Sequence, residues 1–130
     1  MGEIELVCEG KACRVWITRP VAKAFRGVDA KARSRCLQWM RRFAADGFEF
    51  LDAEKFKAEG RFSTGDKSGT KVQIYAFKSW KVRLYGGVVE GGDFVITEID
   101  PGKKQDAADR AKLERAALKL ADYLKGKIGK

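Results

Sequence analysis

The sequence lacks histidine altogether and contains only two prolines and three cysteines in 130 residues. The missing imidazole excludes Ser-His-Asp and Cys-His catalytic groups and the HExxH zinc motif. Any acid–base chemistry must therefore use carboxylates, lysine, tyrosine or cysteine.

The cysteines, Cys8, Cys13 and Cys36, are odd in number and form no repeated pair. Without histidine, this pattern argues against a four-ligand zinc site. The opening MGEIELV carries acids and lacks the apolar core of a secretory signal. No apolar run approaches the roughly 18 residues of a membrane span. We therefore expect a cytoplasmic protein with no membrane partner, whose cysteines are small buried apolar residues.

Positive charge is abundant, because 27 lysines and arginines face 18 acidic residues, giving a net charge of +9. Such an excess favours anionic partners such as nucleic acid or an acidic protein. Charge also serves solubility alone, so a basic domain without a polyanionic partner is an open alternative. The length and an apolar content of 45% predict one globular domain over residues 1–130.

The N-terminal half predicts one or two strands followed by a helical hairpin. Residues 3–8 and 13–18 alternate as strands do, and the fold opens either with the second run alone or with a hairpin of both. Residues 20–26 suit a short helix with proline in its first turn. Asp29 suits the N-cap of a second helix that continues to about Ala45. We expect both helices to lie on one face of a sheet.

The C-terminal half predicts an antiparallel meander and a final helix, so the fold class is α+β. Residues 48–70 show no clear period and are predicted to be irregular. Runs rich in β-branched and aromatic residues predict strands at 71–77, 80–85 and 93–100. Lys78-Ser79 is short enough to form the first turn. A helix is predicted over 106–125, with Asp106 as its N-cap.

Strand parity groups the candidate site residues. Trp80, Val82 and Leu84 should share one face, which we expect to be buried under the helical hairpin. The opposite face then carries three polar residues at Lys81, Arg83 and Tyr85. These residues equally fit the ordinary solvated face of an antiparallel sheet.

Further cations lie near that face. Lys103 and Lys104 follow the third strand through the Asp100-Pro101-Gly102 turn, and we expect them to share a phosphate site with Lys81 and Arg83. They also fit a charged end of an exposed strand. A second candidate surface for nucleic acid consists of Lys31, Arg35, Arg41, Arg42 and Lys71, although such residues commonly form a solvated helix side.

Four segments, by order and spacing, resemble the RelE/ParE superfamily of bacterial toxins, especially its HigB-like and phage-derived members. They are VDAKARSRCLQWMRRFAADG, KFKAEG, KSWKVRLYG and FVITEIDPGKKQDAADRAKLERAA. The quoted segments run from residue 28 to residue 117, and the resemblance as a whole is taken to cover about residues 14–125. The resemblance implies a RelE/ParE-like fold and a small cytoplasmic toxin neutralised by a partner antitoxin.

The resemblance also implies an activity. Some relatives cut messenger RNA on the ribosome without a metal or other cofactor, and an endoribonuclease is the leading hypothesis. In that case Lys81 and Arg83 hold the scissile phosphate and Lys103 and Lys104 stabilise developing charge. Tyr85 or Tyr123 then serves as a proton donor or stacking surface. Other relatives inhibit DNA gyrase without catalysis, so a non-enzymatic nucleic-acid-associated protein is the alternative.

Overall fold

Within residues 3–49, 52–102 and 109–124, the part of the chain that the computed structural model describes, six strands form one mixed sheet. The strands are β1 (Ile4–Glu9), β2 (Arg14–Thr18), β3 (Phe56–Ser63), β4 (Lys71–Ser79), β5 (Val82–Val88) and β6 (Phe94–Asp100). Their order across the sheet is β1-β2-β6-β5-β4-β3. The β2–β6 pair is parallel, and the other neighbouring pairs are antiparallel.

Helices cover both faces of the sheet. Helices α1 (Arg19–Arg26) and α2 (Ala30–Asp46) lie on one face, and α3 (Arg110–Leu120), continued by a 3₁₀ turn at Ala121–Tyr123, lies on the other. The α+β class is thus confirmed. The predicted three-stranded antiparallel meander is present as β4, β5 and β6. The expectation of a purely antiparallel sheet is wrong, because β2 joins β6 in parallel. The α1–α2 hairpin lies on one face as expected, and α3 packs on the other. No helix in the described residues is long and apolar enough to cross a membrane.

Local signals set the limits of α1 and α2 within one residue of the sequence prediction. Proline occupies the first turn of α1, where its missing N–H costs no hydrogen bond. The Asp29 carboxylate accepts a hydrogen bond from the Ala32 N–H at 3.1 Å and so caps α2. Gly47, at φ +72°, ends the helix in the left-handed region that glycine tolerates best.

The two N-terminal strands form a hairpin that docks on the end of α2. The N–H groups of Ala12 and Cys13 donate to the Ala44 carbonyl at 2.8 and 3.1 Å. A Cβ atom on Gly10 would lie 2.4 Å from the Ala44 carbonyl carbon, so a larger residue cannot approach in this way. The structure therefore confirms the hairpin among the two sequence alternatives.

The core beneath α1 and α2 is built around four phenylalanines, Phe43, Phe56, Phe77 and Phe94. Their ring centroids are all 4.8 to 5.9 Å apart, in tilted or edge contacts that aromatic rings favour. Phe56 belongs to β3, which lies in the stretch predicted to be irregular, so that prediction is wrong. An edge strand with one open side and a bulge between Ala58 and Gly60 does not alternate cleanly, which hides it in the sequence.

The opposite core lies between the sheet and α3. Leu113, Ala116, Ala117 and Leu120 pack against a sheet surface that includes Tyr85. A Cβ atom on Gly87 would lie 2.6 Å from Cδ2 of Leu120, so the glycine permits this close packing. The Asp109 carboxylate caps α3 by accepting from two backbone N–H groups. The helix thus begins later than predicted, and Asp106 lies outside the described residues.

The turn between β4 and β5 is two residues later than predicted. Lys78 pairs with Arg83 and Ser79 with Val82, which leaves Trp80-Lys81 as the turn instead of Lys78-Ser79. Trp80 adopts φ +59°, in the left-handed region. The shift takes Trp80 and Lys81 out of the strand and places them at the end of the sheet.

Candidate functional site

Trp80 stands at the tip of the β4–β5 hairpin with 81% of its surface exposed. Its left-handed backbone costs a residue with a side chain about 1–2 kcal/mol, and glycine or asparagine is usual in such turns. The Arg83 guanidinium holds the turn, because Nη1 donates to the Trp80 carbonyl and to the Val82 carbonyl, the latter at 3.0 Å. A large apolar ring held outward at a strained position marks a surface suited to binding.

A cleft separates this hairpin from the first turns of α2. One part is lined by Lys31, Ala32 and Arg35 from the helix and by Ser79 and Trp80 from the hairpin. The other part, of about 300 Å³, continues past Trp80 to Lys81, Val82 and the Pro101-Gly102 turn. We call the whole surface, defined by Lys31, Arg35, Trp80, Lys81 and Pro101-Gly102, the Trp80 cleft.

The Trp80 cleft is positively charged. Lys31, Arg35 and Lys81 are exposed, and none of them forms an ion pair with a carboxylate in the described residues. Asp29 also lines the cleft, but its carboxylate caps α2. Lys31 and Arg35 are separated by one helical turn, so their side chains lie side by side. Unpaired cations beside an exposed indole suit a ligand that has both negative charge and a flat ring.

The acidic residues of β6 are used on the other face of the sheet. Glu98 accepts from Arg115 at 3.1 Å and from Lys119 at 3.3 Å, and Asp100 pairs with Lys112 at 3.2 Å. These contacts join β6 to α3 and its positive charges. Glu98 and Asp100, which precede the Pro101-Gly102 part of the cleft in sequence, therefore pair with cations of α3 and not with Lys31, Arg35 or Lys81.

The predicted catalytic residues Lys81, Arg83 and Tyr85 do not lie together on one open face of the sheet. Lys81 lies in the turn, Arg83 is half-buried with its guanidinium directed to backbone carbonyls, and Tyr85 is fully buried beneath α3. The expectation that Lys81, Arg83 and Tyr85 share one exposed face is wrong, because α3 covers Tyr85 and because the later turn removes Lys81 from the strand. Lys103 and Lys104 lie outside the described residues.

The two candidate tyrosines are buried. The Tyr85 hydroxyl has no hydrogen-bond partner among residues 3–49, 52–102 and 109–124. Burial raises the pKa of the Tyr85 phenol, and the nearby Asp100 carboxylate raises it further. Tyr123 is 5% exposed, and burial raises the pKa of its phenol as well. Neither tyrosine offers a stacking surface to solvent, so that role is wrong for both.

The predicted nucleic-acid surface is only partly brought together. Lys31 and Arg35 line the Trp80 cleft. Arg41 lies ten residues along α2 from Lys31, which is about 15 Å away, and Arg42 pairs with Asp46 at 3.3 Å. Lys71 begins β4, and eight residues separate it from the hairpin end of that strand, about 26 Å. These three cations do not contribute to the cleft.

Sequence patterns alone do not single out Lys78, which is half-buried opposite Arg83. Burial lowers the pKa of the Lys78 amine, and the nearby cations Arg83 and Lys57 lower it further. Its Nζ donates to the Ala53 carbonyl at 3.1 Å. Lys78 becomes a candidate only through its cross-strand pairing with Arg83. That pairing follows from the position of the β4–β5 turn, which the sequence alone places two residues too early.

No protein-family model matches this chain, and no curated protein or solved structure gives a match either. The RelE/ParE resemblance therefore continues to depend on the order and spacing of four sequence segments.

Proposed function

We propose that this protein binds nucleic acid and that the Trp80 cleft is its principal contact surface. The observation that carries the proposal is the exposed indole of Trp80, held in a left-handed turn beside the unpaired cations Lys31 and Arg35. Cations bind phosphates, and aromatic rings stack on bases. The net charge of +9 adds long-range attraction to a polyanion.

The test measures binding of labelled RNA and DNA oligonucleotides by fluorescence anisotropy over a range of salt concentrations. A Lys31→Gln/Arg35→Gln double variant should bind more weakly, and the slope of log K against log salt should fall by about 2. The matched control is Arg41→Gln/Lys71→Gln, which removes equal charge far from the cleft. Equal losses in both double variants, or no salt-dependent binding by the wild type, would contradict the proposal.

A second candidate is the metal-independent endoribonuclease that the RelE/ParE resemblance implies. The observation in its favour is Lys78, which lies opposite Arg83 and whose pKa is lowered by burial and by nearby cations, the direction that a lysine base for a ribose 2′-hydroxyl requires. Arg83 lies directly opposite Lys78 across the β4–β5 pair, and its positive charge is one cause of the lowered Lys78 pKa. Lys81, Lys103 and Lys104 are the further cations that the resemblance assigns to phosphate binding.

A ribosome-programmed cleavage assay in EDTA tests this candidate. We expect transcript cleavage by the wild type and its loss in Lys78→Gln. Lys81→Ala removes one positive charge from the turn. If cleavage is lost in Lys81→Ala and kept in Lys78→Gln, Lys81 is the essential lysine, as the sequence resemblance implies. Intact transcripts with the wild type exclude the nuclease and leave binding alone. Inhibition of gyrase supercoiling by such a protein would instead indicate the ParE-like alternative.

The proposal extends to an antitoxin partner that covers the basic surface, as the resemblance implies. Its expected chemistry is acidic, because the unpaired cations of the Trp80 cleft need compensating charge. Co-expression with the protein encoded by the adjacent reading frame tests this. A stable complex that blocks oligonucleotide binding is the expected result, and unchanged binding in its presence would contradict it.

A further inference from the structure

We infer that the Trp80 cleft recognises unpaired nucleotides, with one base stacked on the Trp80 indole and an adjacent phosphate bound by Lys31 and Arg35. The inference rests on the proposed nucleic-acid binding and names its substrate class, single-stranded RNA or DNA. It predicts a preference for single strands over duplex, which positive charge alone does not provide.

Trp80 differs from the other two tryptophans in its availability. Trp16 is half-buried and donates through Nε1 to Asp93 at 3.1 Å. Trp39 is half-buried, and the Lys55 ammonium lies 5.3 Å from its ring centroid. Trp80, at 81% exposure, is the tryptophan whose ring faces are open to a ligand.

The backbone that carries the indole is also ordered before any ligand arrives. Ser79 and Val82 pair on either side of the turn, and Arg83 bonds to the Trp80 carbonyl. Because the backbone beneath the ring is already ordered, stacking a base on it immobilises little further chain. The conformational strain at φ +59° is consistent with a residue kept at this position for contact, since glycine would relieve it.

The position of the cations relative to the ring favours a single strand. Lys31 and Arg35 line the same part of the cleft as Trp80, so a phosphate and its neighbouring base can be bound together. In a duplex the base faces are stacked on one another and are out of reach of a side chain outside the helix. Stacking on Trp80 therefore requires an unpaired base, whereas the cations alone bind either form.

The experiment compares four probes: 12-nucleotide oligouridine, 12-nucleotide oligothymidine, a 12-base-pair duplex and heparin. Trp80→Ala should weaken binding of both single strands by about tenfold and leave duplex and heparin binding within about twofold. Trp80→Phe should keep most of the single-strand affinity, because the benzyl ring still stacks. Single strands should quench the tryptophan fluorescence of the wild type and not that of Trp80→Phe.

The outcomes separate this inference from the proposed function. Absence of salt-dependent binding to any nucleic acid overturns both. Salt-dependent binding that is equal for single strands and duplex, and unchanged by Trp80→Ala, overturns the inference and leaves the proposed function. A Trp80→Ala loss that is as large for heparin as for single strands also overturns it. Urea unfolding of each variant checks that the exposed substitution leaves the fold intact.

Discussion

Removal of the Tyr85 hydroxyl should stabilise this protein. The side chain is fully buried between the sheet and α3, and its oxygen has no hydrogen-bond partner in the described ranges 3–49, 52–102 and 109–124. Burial is the main cause of the raised pKa of this phenol, so the group stays neutral at physiological pH. Tyr85→Phe deletes the oxygen and keeps the ring that packs in the core.

Two opposing effects set the size of the change. A buried hydroxyl without a partner costs about 1–3 kcal/mol, because it loses its hydrogen bonds to water. Its deletion leaves a space of one oxygen atom, which costs only about 0.3 kcal/mol at about 24 cal/mol per Å³. The free energy of unfolding should therefore rise by about 1–2 kcal/mol in Tyr85→Phe.

Urea unfolding followed by circular dichroism measures this difference. Tyr75→Phe is the matched control, because half-buried Tyr75 keeps its stacked contact with Phe56 as phenylalanine. We expect the control to change by less than about 0.5 kcal/mol, the usual range away from buried polar groups. A fall of more than about 1 kcal/mol in the free energy of unfolding of Tyr85→Phe would show that the hydroxyl is hydrogen-bonded and would refute the prediction.

Three further predictions concern the hairpin, the sheet and the thiols. Gly86→Ala should destabilise the protein by about 3 kcal/mol or more, because the added Cβ would lie 2.1 Å from a β6 carbonyl oxygen. The control is Gly102→Ala, whose Cβ meets open space and which should be neutral in the same unfolding assay. Trp80→Gly should be more stable than Trp80→Ala by about 1 kcal/mol, since both variants lose the indole and only glycine relieves the positive φ. Equal urea midpoints for the two variants would show that the backbone at residue 80 is not strained. Burial raises the pKa of Cys36 to about 12, so the folded state retains a proton that the unfolded state loses above pH 9.0. The free energy of unfolding should thus fall from pH 9 upwards, and Cys36→Val should reduce that slope.

Local sequence signals were sufficient for the elements whose ends are chemically marked. Asp29 caps α2 and Gly47 ends it, and the apolar spacing between them places Met40 and Phe43 in the core. The β-branched runs of β4, β5 and β6 were likewise predictable, because each strand alternates or is buried along most of its length.

Other features depend on which parts of the chain meet. A shift of two residues in the β4–β5 turn preserves the alternation of side chains, so parity is the same with Lys78-Ser79 or Trp80-Lys81 as the turn. Only the cross-strand pairing shows that Trp80-Lys81 is the turn. In that turn Trp80 is exposed, whereas the strand pattern predicted that it would be buried. The candidate site was therefore only half predictable: its cations were apparent, and its aromatic residue was not.

The sequence by itself determined the α+β class, the positions of α1 and α2 and the basic character of the chain, because these depend on neighbouring residues and total charge. The tertiary structure decided the burial of Tyr85, the edge strand β3 and the meeting of Lys31 and Arg35 with Trp80. The physical reason is that these features arise from strand register and from the faces of the sheet that α2 and α3 cover, and both are set by contacts between residues far apart in the chain.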